Sequence, residues 1–225
     1  MPNTLNQTWE QHIKNKGTDF VHFVDTAALP PGSANGYSCV ILFGKALSKD
    51  YINARRANEK PKTNEIINTE RKMDRLAIAI ADQLTAEGYP SIGKLKFGQL
   101  PHKTVVLNAG LGFIGKNNLL VTEQYGCAVL FGKVLTTAPF TTMSKPPLAP
   151  QCGECTTCVD ACKPNALTGE TWNITKKRED MMVRKHCNLC LMCLLCCPYT
   201  VRYATDPPHP RHPGPCPGIP SDERV

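Results

Sequence analysis

The sequence predicts an α+β fold in two parts. A mixed helix–strand domain covers residues 1–140, a small cysteine-rich domain covers residues 141–200, and a proline-rich tail occupies residues 201–225. Three observations carry this division. Apolar, β-prone runs at Phe20–Asp25 and Ser38–Leu47 read as strands. A stripe with helical period runs through residues 64–87. A cysteine pattern is written twice, as Cys152-x2-Cys155-x2-Cys158-x3-Cys162 and as Cys187-x2-Cys190-x2-Cys193-x3-Cys197-Pro198.

The elements follow in order. Residues 5–16 form a short amphipathic helix that Gly17 ends. Leu29-Pro30-Pro31-Gly32-Ser33 is turn chemistry between the two strands. Residues 48–63 are polar and contain Pro61. The long helix places Ile66, Met73, Leu76, Ile80 and Leu84 on one face, and Gly88 supplies its stop. That stripe is core. The stretch that follows contains Gly110-x-Gly112-x2-Gly115, which matches a dinucleotide fingerprint, and Gly110-x4-Gly115-Lys116, which nearly matches a phosphate loop. Context opposes both readings. Asn117 stands where a magnesium-holding hydroxyl is needed, no long helix follows, and no acidic residue lies about 20 positions on. Residues 118–122 and 126–136 read instead as strands joined by a turn at 123–126. The glycines then mean a sharp turn and close approach of something flat or bulky. Residues 138–151 are a linker, and residues 173–186 are charged and helix-like. The tail cannot build a core, and its His209, His212 and Cys216 are poorly spaced for a metal.

The doubled cysteine pattern is the bacterial ferredoxin run. In such runs the fourth cysteine ligates the other cluster, because three close cysteines on one loop reach only three irons of a cubane. One [4Fe-4S] cluster is therefore expected on Cys152, Cys155, Cys158 and Cys197, and a second on Cys162, Cys187, Cys190 and Cys193. Zinc prefers paired Cys-x2-Cys knuckles, which this pattern is not. A disulfide framework would suit a secreted chain, but the first residues hold no apolar signal segment. Cys196 is a competitor for Cys197, although Pro198 favours the latter. The cysteine usage points to a reducing, anaerobic cytoplasm, and no run is long and apolar enough to enter a membrane. The formal charge is +7 with neutral thiols. Two oxidised cubanes on thiolates bring it to about +3, a mild basic balance that argues little for nucleic acid.

The loop Gly110-Leu-Gly-Phe-Ile-Gly-Lys-Asn117, then Leu119-Leu-Val-Thr122, Tyr125-Gly126, Val134-Leu-Thr-Thr137 and the double run resemble epoxyqueuosine reductases, with the reductive dehalogenases as more distant cousins. The resemblance covers roughly residues 20–200. It implies a first domain like that of flavin reductases and the cobalamin-processing protein, followed by a 2[4Fe-4S] ferredoxin-like domain. It further implies cobalamin as cofactor, with FMN as the alternative, and single electrons delivered by a ferredoxin or flavodoxin. Gly110, Gly112, Gly115, Lys116 and Asn117 would then hold the cofactor. The family's proton-donating aspartate has no counterpart, since no Asp or Glu occurs from Gly88 to Thr122. His102 is the expected replacement, with Tyr125 and Lys103 in reserve. The family's helical-repeat domain, which helps hold tRNA, is not found before Val225. A small molecule or the corrinoid itself is therefore the expected substrate, and tRNA an unlikely partner. An electron-transfer module serving a partner enzyme is the rival reading.

Overall fold

The computed structural model describes residues 4–34, 36–61, 63–94 and 100–205. The tail from residue 206 on, with His209, His212 and Cys216, lies outside them. Two compact units emerge, and each is assembled from separated stretches of chain. The first takes Met1–Ala46, Glu65–Leu111 and Val129–Leu148; the second takes Leu47–Asn64, Gly112–Ala128 and the chain from Ala149 on. The expected boundary at residue 140 is thus replaced by an interleaved division.

In the first unit, β1 (Phe20–Asp25), β2 (Cys39–Ala46), β6 (Val129–Thr136) and β3 (Ser91–Ile92) form an antiparallel sheet in the order β1-β2-β6-β3. Helix α1 (Thr4–Asn15) buries Trp9 and Ile13 at i, i+4, and Gly17 at φ +88° lets the chain turn off its end. Helix α3 (Glu65–Ala86) buries Met73, Ala77, Ile80, Ala81 and Leu84. These side chains meet Ile41 and Phe43 of β2 and Val134 of β6 in one core. Each large apolar side chain so buried contributes roughly 1.5–3 kcal/mol. The expected stripe shifts by part of a turn: Ile66 is only half-buried, while Thr69 and Ala77 are inside.

The register carries a second set of side chains on the opposite face. Phe20 pairs with Gly44, and Gly44 with Phe131. The two phenyl rings meet at 5.9 Å across the glycine, and a Cβ on Gly44 would lie 2.3 Å from the Phe20 ring. His22 and Lys133 are next along the same rows. Helix α4 (His102–Asn108), not anticipated from the sequence, buries Val105, Val106 and Leu107 and puts the His102 ring 6.3 Å from Phe131.

The second unit holds a hairpin of β4 (Gly112–Ile114) and β5 (Leu120–Thr122), helix α2 (Lys49–Arg56), and four short helices: α5 (Thr157–Asp160), α6 (Arg178–Met181), α7 (Met192–Leu195) and α8 (Pro198–Ala204). Here the strand expectation is corrected. β5 pairs back with β4, and only an isolated bridge joins Thr122 to Gly126, because β6 is taken into the sheet of the first unit. Two further corrections concern helices. The polar stretch 48–63 contains α2, capped by Ser48, whose Oγ accepts from the Tyr51 amide at 3.1 Å. The charged stretch 173–186 supplies only one turn of α-helix and a short 3₁₀ turn, since its charges leave no apolar stripe to bury. Hydrogen bonds tie the three stretches of this unit together: Leu47 N–H to Ala128 O at 2.9 Å, Tyr203 OH to Leu47 O at 2.9 Å, and Asn53 Nδ2 to Ala204 O at 3.1 Å. No helix among the described residues is long and apolar enough to cross a membrane.

Candidate functional site

The second unit contains a cavity of about 410 Å³, open mouth included, lined by Cys152, Cys155, Cys158 and Cys197 together with Gly115, Lys116, Asn117, Val121 and Tyr199. The first three thiols come from one loop. Gly153 at φ +48° turns the chain between Cys152 and Cys155, and one helical turn, α5, presents Cys158. Cys197 arrives from the other cysteine run as the N-cap residue of α8, with Pro198 in the first turn, where a missing N–H costs nothing. The amides of Tyr199 and Thr200 and the Thr200 hydroxyl face its sulfur. They do not close a capping hydrogen bond, but their positive ends favour the thiolate. Cys196, the expected competitor, is buried and absent from the lining.

Cys162, Cys187 and Cys190 lie near Cys193. Cys193 is pushed up to about 12, first by burial and then by the charges of Cys190, Cys162 and Cys187. Cys158 is likewise pushed up to about 12, by burial and then by Cys197, Cys152, Cys193 and Cys155. Cys193 therefore lies close to both sets. Leu189 and Leu191, at φ of 59° and 67°, reverse the chain on either side of Cys190. Such left-handed conformations cost a non-glycine residue roughly 1–2 kcal/mol each, so the surroundings must enforce them. Helix α2 contributes by donating from Arg55 Nη2 to Cys190 O at 3.3 Å.

Like charges in a partly dry site oppose one another, so four thiols here ionise together only against a cationic occupant. Among the described residues no three His, Cys, Asp or Glu side chains are drawn in tightly enough for a single ion. Four thiols around a cavity suit a group that offers one iron to each, and the donor set is all sulfur. These residues fit a [4Fe-4S] cluster.

The residues expected to cradle a corrinoid have other partners. A Cβ on Gly112 would lie 2.2 Å from Val121 O; on Gly115, 2.7 Å from Asn117 Oδ1; on Gly110, 2.7 Å from Lys145. The space beside each glycine is filled by the chain itself, and only Gly110 has a positive φ. Lys116 donates from Nζ to Gly153 O at 2.7 Å, and burial raises the pKa of Cys152 against the opposing effect of the Lys116 amide. Asn117 donates to Cys193 O at 3.0 Å and to Cys127 Sγ at 3.2 Å. The loop thus clamps the cysteine runs. His102, exposed at the start of α4, stands beside Phe131; partial burial of its ring and the Lys133 charge lower its pKa. Residues that sequence reasoning missed are Cys127, which belongs to neither cysteine run, and Thr200, three residues beyond Cys197, whose pairing with the Cys127 amide exists only in the folded chain.

The fold is a mixed α/β arrangement in which thiols of two separated cysteine runs meet at one cavity, and known proteins narrow the class. No protein-family model matches the chain. It is similar to the epoxyqueuosine reductases of Listeria monocytogenes, at 34% identity over 96 residues, and Lactococcus garvieae, at 41% over 73 residues. Those matches take 41% and 32% of this chain but only 25% and 20% of the relatives' own lengths. Among solved structures, the epoxyqueuosine reductase of Bacillus subtilis superposes with a TM-score of 0.59 at 18% identity, covering 95% of this chain and 69% of that one. An epoxyqueuosine reductase bound to an epoxyqueuosine-modified tRNA stem loop gives 0.57 at 17%, over 92% and 68%. A reductive dehalogenase whose structure suggests a mechanism for B12-dependent dehalogenation gives 0.56 at 16%, over 68% and 24%. At these identities the structural likeness concerns the fold. The expectation that tRNA is an unlikely partner is overturned, because a protein of this fold carries a tRNA stem loop.

Proposed function

We propose that the chain is an oxidoreductase of the epoxyqueuosine reductase type, holding one [4Fe-4S] cluster on Cys152, Cys155, Cys158 and Cys197 and another on Cys162, Cys187, Cys190 and Cys193. The observation that carries the reading is the cavity ringed by thiols from both runs. Such clusters, when bound, supply one-electron transfer at low potential, drawn here from a ferredoxin or flavodoxin. The chain's own residues hold the ligands and set their charge. Lys116 fixes the first loop through Gly153, Arg55 fixes the second through Cys190, and the start of α8 favours a thiolate at Cys197. Cobalamin is the acceptor suggested by the relatives, with FMN as the alternative. An epoxyqueuosine-modified tRNA stem loop is the first substrate to try.

Iron and sulfide analysis of protein purified and reconstituted without oxygen should return about eight of each per chain, with paramagnetic resonance of two reduced clusters. Adding cob(II)alamin, then the stem loop, should give a spectral change of the corrinoid and loss of the epoxide. Zinc in place of iron, or half the iron, overturns the cluster assignment. Eight irons with neither corrinoid nor FMN bound leaves the electron-transfer module as the function.

A further inference from the structure

The two cysteine runs differ where each loop faces water. Between Cys152 and Cys155 stand Gly153 and Glu154; between Cys187 and Cys190 stand Asn188 and Leu189. All four are exposed. Glu154 gives the first loop an acidic tip. Leu189 gives the second an apolar one, 65% exposed and held at φ +59°. A left-handed leucine with its side chain in water is unfavourable on both counts. Glycine or asparagine would hold the turn at less cost, and the leucine side chain buries little in return. The loop is fixed all the same. Asn188 Oδ1 accepts the Cys190 amide at 3.2 Å, and Arg55 Nη2 donates to Cys190 O at 3.3 Å. Basic residues stand directly before it. Arg184, Lys185 and His186 form the 3₁₀ turn that runs into Cys187, and all three are exposed. Among the described residues no ion pair or hydrogen bond occupies the side chain of Arg184 or Lys185. No Asp or Glu occurs from residue 181 to residue 205.

We propose that Leu189, with Arg184 and Lys185 just before it in the chain, is the docking point of an acidic electron-carrier protein, which thereby meets the Cys187–Cys190 loop and not the Glu154 loop. The inference rests on the cluster reading above. Encounters between electron-transfer proteins are small and transient, so one apolar anchor beside a charged rim is enough. The positive rim attracts an acidic carrier and speeds its arrival, while Glu154 repels the same carrier from the first loop. The leucine argues for a protein partner and against nucleic acid. Phosphate and sugar are held by cationic and polar groups, whereas an apolar tip gains only where an apolar patch of the partner removes it from water.

The test uses the reconstituted full chain with an acidic flavodoxin and an acidic ferredoxin as probes. Its variants are Leu189→Gly, the double reversal Arg184→Glu with Lys185→Glu, and Glu154→Gln. Iron is counted first: a parent without two clusters fails the cluster reading, and this inference falls with it. Given two clusters, affinity for the oxidised carrier is read by fluorescence anisotropy, which needs no turnover. Parent affinity should fall about tenfold from low to physiological salt. Leu189→Gly relieves the backbone, so it should keep about eight irons and melt no lower than the parent, yet bind about tenfold more weakly. The charge reversal should bind about tenfold more weakly at low salt and lose the salt dependence. Glu154→Gln should bind no more weakly than the parent. Parental affinity in either Leu189→Gly or the charge reversal overturns the proposal, as does a two-cluster parent that binds neither carrier. A charge reversal that releases a tRNA stem loop while holding the carriers as the parent does assigns the surface to RNA and overturns it too.

Discussion

Gly126 shows how a single residue can hold the site together. It sits at φ +58°, and a Cβ there would lie 2.2 Å from the Thr200 amide nitrogen. Thr200 is fixed in the first turns of α8, just beyond Cys197, and accepts the Cys127 amide. Gly126→Ala therefore adds two costs: roughly 1–2 kcal/mol for the left-handed backbone, and a backbone overlap that only a shift of α8 can relieve. Gly153 is the control. Its φ is +48°, yet nothing lies within 4 Å of a Cβ built on it. Oxygen-free thermal melts with iron analysis should show a lowered midpoint and lost iron for Gly126→Ala, and only a small loss of stability for Gly153→Ala. Equal behaviour of the two variants would mean that the close approach of Gly126 to α8 is unimportant.

Among the elements, α2 matters more than its length suggests. Eight residues make a marginal helix by themselves, so its caps and its partners decide whether it forms. Ser48 satisfies the Tyr51 amide, Asp50 sits in the first turn, and Arg55 and Arg56 sit in the last, all favourable to the helix dipole. The helix then fixes Cys190 through Arg55 and the end of α8 through Asn53. Ser48→Ala should cost about 1 kcal/mol and should speed the release of iron to a chelator, because the Cys190 loop loses a support. Chemical unfolding followed by chelation kinetics measures both; an unchanged midpoint would show that the packing of Tyr51 and Ile52 alone holds the helix.

In the whole molecule the two units differ in what holds them. The first rests on a four-stranded sheet against α1 and a 22-residue helix. The second has a three-residue hairpin, helices mostly of four to eight residues, and thiols in its interior. With the proposed clusters bound, a unit of that kind would draw much of its stability from metal binding. Stripping the iron under anaerobic conditions should thus abolish hydrogen-exchange protection at Cys127, Ala161 and Leu195–Cys197 while leaving β1, β2, β6 and α3 protected. Protection that survives uniformly in both units would show that the second folds without its metal.

Part of this architecture was legible in the sequence. α1, β1, β2 and α3 follow local rules: period, propensity and a glycine stop act over one or two turns. The cysteine spacing pointed to two crossed sets, and Cys152, Cys155, Cys158 and Cys197 line one cavity. The pattern of the glycine loop describes backbone freedom and not what fills the space beside it. Val121, Asn117 and Lys145 fill that space. The lowered pKa of His102 was equally out of reach, since it depends on partial burial created by the fold and on Lys133. Short-range chemistry along the chain determined which segments coil, extend and carry thiols. Only the tertiary structure decided that residues 47–64 and 112–128 join the cysteine runs, and that Asn117, Cys127 and Thr200 gather at Cys197. Those choices depend on pairings across as many as 156 residues, such as Tyr203 with Leu47, whose free energy exists only once the chain has closed the loops between them.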